Sequence, residues 1–112
     1  MATFVETFDN YKSEFNNLGI AFDEALFSKV TKALGPVIYN ADSGKVSCSD
    51  DAELGRVKDN FLIKKLGLAD GPELDAALKA VCEQMGSSNR NKFRAMYYYL
   101  LVEKLGKQAM YQ

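Results

Sequence analysis

Phe4, Phe8, Tyr11, Phe15 and Leu18 recur at steps of four, three, four and three, with Glu6, Asp9, Lys12 and Glu14 between them. That spacing puts the apolar side chains on one stripe of a helix and the charges on other faces. Gly19 ends this first helix. Asp23 is placed to cap a second, whose apolar positions are Leu26, Phe27, Val30, Ala33 and Leu34 and which Gly35-Pro36 stops. Val37, Ile38 and Tyr39 suit a single helical turn tucked under a bundle, and Asn40 to Lys45 is a turn rich in residues that bond their own backbone. Asp50 with Glu53, or Ser49, caps a third helix predicted to run to about Leu66, with Leu54, Val57 and Phe61 as its buried face. Asp70-Gly-Pro-Glu73 supplies a cap and a first-turn proline for a fourth, striped by Leu74, Leu78, Val81 and Met85.

The rest of the chain is organised around the stretch from Ser87 to Gly106. Its middle, Ala95 to Val102, has no charged residue and is apolar around nearly the whole helical circumference. A helix of that kind is normally buried. With Ser88 or Asn89 as cap, the pattern predicts a fifth helix of about 17 residues, about 25 Å long, with Arg90, Lys92 and Arg94 at its exposed start. An apolar residue precedes Gly19, Gly35, Gly67, Gly86 and Gly106, so five helix ends are expected to use a glycine in the left-handed conformation. The expectation is an all-α single domain over residues 1–112: a compact bundle of about five helices with the C-terminal helix central.

Charge changes the picture through its placement. The net charge is -1, yet residues 1–53 hold nine acids and four bases, whereas residues 86–112 hold five bases and Glu103 alone. Acids of the N-terminal half are the simplest partners for the basic end, because cations at a helix start oppose its dipole; self-association or an anionic partner is the alternative. No histidine is present, and Cys48 and Cys82 lie far apart, which excludes common zinc spacings and a histidine base. Two isolated cysteines and an acid within six residues of the N-terminus predict a reducing cytoplasm with no signal peptide and no membrane span.

Candidate chemistry is thin. Placing Gly44 at the sixth position of a calcium loop leaves Tyr39 and Ala41 where carboxylates are required. Lys45 is followed by Val46, where a phosphate loop needs Ser or Thr. Cys48, just before a helix start, has no base to activate it and reads as an inert thiol. Ser87, Ser88, Arg90 and Arg94 could hold a phosphate or carboxylate at a helix start, and Tyr98 or Tyr99 beside Lys92 could stack a base, although buried tyrosines bonded to backbone are commoner.

Gly35-Pro-Val-Ile-Tyr-Asn-Ala-Asp-Ser, Asn60-Phe-Leu-Ile-Lys-Lys-Leu-Gly-Leu, Asp70-Gly-Pro-Glu-Leu-Asp and Ser88-Asn-Arg-Asn-Lys-Phe-Arg-Ala together resemble the uncharacterised bacterial family called domain of unknown function 2853. The resemblance covers about Leu26 to Tyr111 and leaves residues 1–25 as a helix outside it. Family members tend to have Ser-Gly-Ser-Asp where this chain has Ser47-Cys-Ser-Asp50, which argues against a shared catalytic role for Cys48. The resemblance implies a small bacterial cytoplasmic protein and transfers no activity, cofactor or partner. Its blocks point to Tyr39, Asn40, Asp42, Asn60, Lys64, Lys65, Ser88, Asn89, Arg90, Asn91 and Lys92, to which Arg94 is added, as a candidate interaction or anion-binding set. A structural network tying the Asn40 turn to the start of the last helix would explain them without a ligand. No catalytic, metal or cofactor residue is assigned. The leading expectation is a non-enzymatic protein-interaction domain using the Asn40 loop and the Arg90 end. Anion or nucleic-acid binding comes second and carboxylate enzyme chemistry last.

Overall fold

A computed structural model describes residues 3–40, 44–86, 89 and 92–111. Their regular structure is helical: α1 (Phe4–Leu18), α2 (Glu24–Leu34), a 3-10 turn (Gly35–Tyr39), α3 (Asp51–Val57) running into a π-helical segment (Lys58–Ile63), α4 (Pro72–Met85), α5 (Arg94–Lys104) and a closing 3-10 turn (Gln108–Tyr111). Among the described residues no strand forms; Lys45 and Phe93 make one isolated antiparallel bridge. The radius of gyration of 13.1 Å is about that of a compact chain of this length.

α5 is the centre of the bundle. Every residue from Ala95 to Val102 is buried, and the helix packs on α2 and α4. Phe8, Tyr11 and Phe15 of α1 turn inward, and the ring of Phe27 sits 5.0 Å from Phe15 and 5.2 Å from Tyr99. The tyrosines of α5 bury their rings by giving each hydroxyl a partner. Tyr97 donates to Leu78 O at 2.9 Å, and Tyr99 accepts from Asp23 N at 2.6 Å. Of the two rings expected to be able to stack a base, that of Tyr99 is fully buried and so cannot. Burial pushes the Tyr97 and Tyr99 hydroxyls above the ordinary tyrosine range.

Punctuation follows the sequence closely. Thr3 and Asp23 cap α1 and α2 through their side chains. Asp50 Oδ1 accepts from the amides of Ala52 and Glu53 at the start of α3. The five glycines expected at helix ends all take positive φ, from 69° to 101°.

Three boundaries differ from expectation. The third helix is α-helical only to Val57 and then widens into the π segment. Asp70 does not cap α4: Gly71, extended ahead of Pro72 as a residue before proline must be, holds that position, while Asp70 lies 2.8 Å from Lys58 Nζ. Finally, α5 begins at Arg94, not at residue 88 or 89, and spans 11 residues. The cause is a competing pairing. Val46 N donates to Lys92 O at 2.8 Å and Arg94 N to Gly44 O at 2.7 Å, so these groups are taken by the loop before α3. Asn89 instead serves the end of α4, its Nδ2 donating to Met85 O at 3.0 Å.

Cys48 and Cys82 are joined in a disulfide with Cα atoms 6.0 Å apart, inside the usual range for such bonds. The reading of Cys48 as an inert thiol is therefore corrected, and with it the cysteine argument for a reducing compartment. No helix among the described residues is long and apolar enough to cross a membrane.

Candidate functional site

Asp42, Ser88, Arg90 and Asn91 of the candidate set lie outside the described residues, as does Ser87; the others fall into two places. Around the start of α5, Asn40 O accepts from Gly44 N at 2.8 Å, and Gly44 and Val46 are bonded to Arg94 and Lys92. These backbone bonds tie the Asn40 turn to the start of the last helix.

The cations at this end are turned into the fold. Arg94 Nη2 reaches Glu53 Oε1 at 2.5 Å, with both side chains about 15% exposed; Nη1 donates to the Tyr98 hydroxyl at 2.9 Å. Glu53 Oε2 holds Arg56 at 2.7 Å. Burial pushes the Glu53 carboxyl up, but its hydrogen bonds from Arg56 and Arg94 and their charges more than offset this and leave it below its ordinary value. Lys92 is only 6% exposed, and its Nζ donates to Asn89 O at 2.6 Å. Burial lowers the pKa of that ammonium. The exposed basic helix start expected from the sequence is thus corrected for its two described cations: Lys92 is covered, and Arg94 is the partner of an acid from the N-terminal half. Glu53 was legible only as a first-turn acid; the excess of acids in that half was the signal that one of them would be used here.

Asn60, Lys64 and Lys65 stand apart, and all three are exposed. Neither lysine has a carboxylate within ion-pair distance among the described residues. Asn60 and Lys65, but not Lys64, line a pocket of about 250 Å³. α2 supplies Val30, Ala33 and Leu34 to its wall, the π segment supplies Asn60 and Phe61, α5 supplies Tyr98 and the closing 3-10 turn supplies Tyr111, with Lys65 as the charged group. Phe61 and Tyr98 are stacked, with centroids 4.0 Å apart and planes 18° from parallel.

The π turn explains how Asn60 and Lys65 meet there. In an α-helix, residues five apart point about 140° from one another. Here Lys64 N bonds Asp59 O at 3.2 Å and Leu66 N bonds Phe61 O at 2.9 Å, closing the turn at five residues. Helical periodicity could not show this, and it gave Val30, Ala33 and Leu34 only as a core stripe. Tyr111, half-buried at the far end of the chain, carried no signal at all.

Among the described residues no group of three or more acids and cysteines is gathered tightly enough to hold a metal ion. Tyr39 ends its 3-10 turn with 48% of its surface exposed, away from the pocket lining.

What the fold and this site define is a small helical domain with an amphipathic pocket. Residues 10–109 match the model of the family described as "Protein of unknown function (DUF2853)", so the chain belongs to that family. The match begins inside α1, further toward the N-terminus than the motifs that carry the resemblance. No curated protein matches the sequence.

Proposed function

We propose that the chain is a non-enzymatic binding domain that presents the Asn60–Lys65 turn and its pocket to a ligand. One observation carries this reading: Lys65, exposed and without a carboxylate partner, lines a pocket, and Lys64 precedes it in the chain, likewise exposed and without a carboxylate partner among the described residues, whereas Lys92 and Arg94, the described cations at the start of α5, are engaged inside the fold. Anion binding, expected through Lys64 and Lys65 as well as the start of α5, is thereby narrowed to Lys64 and Lys65. A second reading, a protein partner at the Tyr39–Asn40 edge, is supported by the exposed ring of Tyr39, since aromatic anchors are common in interfaces.

The test is recovery of bound material from cell extract by the intact protein, comparing wild type with K64E/K65E and with Tyr39→Ser. Small molecules or anionic polymers retained by wild type and lost by K64E/K65E are the expected result. A protein retained by K64E/K65E and lost by Tyr39→Ser would replace the first reading with the second. Enzyme chemistry based on carboxylates gains no support from the pocket, whose described lining contains no acid. The cytoplasmic location expected from the sequence would place the Cys48–Cys82 bond under reducing conditions; alkylation of thiols in intact cells decides it, a free pair supporting the cytoplasm and a bonded pair opposing it.

A further inference from the structure

Resting on that reading of the pocket as a binding site, we infer that its ligand is a small monocarboxylate built on an aromatic or alicyclic ring. Size sets the first limit. A cavity of about 150 Å³ in a protein core is enough for benzene, and drug-sized ligands occupy about 300 Å³ or more. At about 250 Å³, the pocket holds one ring with a short substituent and cannot enclose a whole nucleotide.

The walls set the second limit. Val30 and Leu34 offer aliphatic surface, and the stacked Phe61–Tyr98 pair offers aromatic surface. Inorganic phosphate would gain nothing from either and would give up hydration to enter. A ring buries against both.

Polarity sets the third. Lys65 is the charged group of the described lining, and Asn60 and Tyr111 add an amide and a phenol hydroxyl. All three can donate hydrogen bonds and none carries a negative charge, so the lining favours an anionic head group and offers a cation no counter-charge. The Tyr98 hydroxyl already accepts from Arg94, which leaves its own proton for an acceptor. The π turn provides independent support. Such turns are rare and concentrate at functional sites, and this one brings Asn60 and Lys65 into the same lining, which an α-helical register would not do.

The experiment is an amide NMR titration of the intact, oxidised protein with benzoate, benzyl alcohol and inorganic phosphate. Wild type is compared with Lys65→Met, which removes the charge at an exposed position, and with Ala33→Trp, which fills the pocket from an exposed site on α2. Both variants must first give a dispersed, wild-type-like spectrum. The expected result is benzoate binding with Kd on the order of 0.1–1 mM, perturbing Phe61, Tyr98 and Tyr111, and about fivefold tighter than benzyl alcohol. Lys65→Met removes the difference between the two probes, and Ala33→Trp abolishes binding of both. Equal binding of benzoate and benzyl alcohol by wild type, or perturbation confined to residues outside the pocket, overturns the inference. Phosphate binding at Lys64 and Lys65 with benzoate inert overturns the ligand class and leaves the binding face standing. If no probe binds, the ligand class falls; the face falls too only if K64E/K65E retains all that wild type recovers from extract.

Discussion

Glu53 receives two arginines from different parts of the chain, Arg56 one turn along α3 and Arg94 at the start of α5. It is also the one residue of the expected Asp50–Glu53 capping pair that declines its role: Asp50 takes the helix amides, while the Glu53 carboxylate turns to the guanidinium groups. Removing its charge takes away the ion-pair partner of Arg94 at a site where water reaches little of the guanidinium, leaving its bonds to Tyr98 and Lys45 O. Glu53→Gln is expected to lower stability by about 2–3 kcal/mol, read from urea denaturation. The pH dependence has a definite sign. Because the folded carboxyl titrates below its ordinary value of 4.5, its stabilisation is complete above about pH 4.5 and is lost as pH falls through the lowered value. Glu53→Gln should therefore flatten that part of the acid limb, and an unchanged slope would show that Arg94 is held by its other contacts.

At the level of elements, what was legible in the sequence depended on how local the cause was. The apolar stripes, the caps at Asp23 and Asp50 and the five glycine stops are each decided within about one turn of helix, and they are where the pattern put them. The start of α5 and the π turn were not legible, because the first depends on a bridge between Lys45 and Phe93 and the second on a five-residue hydrogen-bond register that the apolar pattern does not encode. Most of the candidate site shared that fate: Asn60 and Lys65 are picked out by motif, but five of the eight described lining residues come from α2, α5 and Tyr111. Gly44 is the pivot of the loop that trims α5. A Cβ there would lie 2.5 Å from Asn40 O and 3.0 Å from Ile38 O, both backbone atoms, so the loop would have to move. Since Gly44 O also accepts from Arg94 N, Gly44→Ala is expected to cost about 2 kcal/mol and to reduce hydrogen-exchange protection at the Arg94 and Val46 amides before it affects α4.

For the molecule as a whole, the largest departure from the sequence reading is the Cys48–Cys82 bond, which spans 34 positions and could not be inferred from two distant cysteines in a chain with no other framework. A cross-link over a loop of that length restricts the unfolded chain by about 3–4 kcal/mol. Replacing both cysteines by serine should lower stability by about that amount, with the core of α2, α4 and α5 intact by circular dichroism. A loss well under 1 kcal/mol would mean that the folded state is distorted to make the bond.

The same bond shortens a path. Lys45 and Phe93, which must meet to set the start of α5, are 48 positions apart along the backbone but only about 15 apart when the route passes through the two sulfurs. Closing the shorter loop costs about 1 kcal/mol less entropy, which corresponds to roughly a fivefold change in rate if the bridge forms in the folding transition state. Oxidised protein should then refold about fivefold faster than reduced protein in stopped-flow dilution from urea, so that redox state would set how quickly the domain reaches its native form as well as how firmly it stays there.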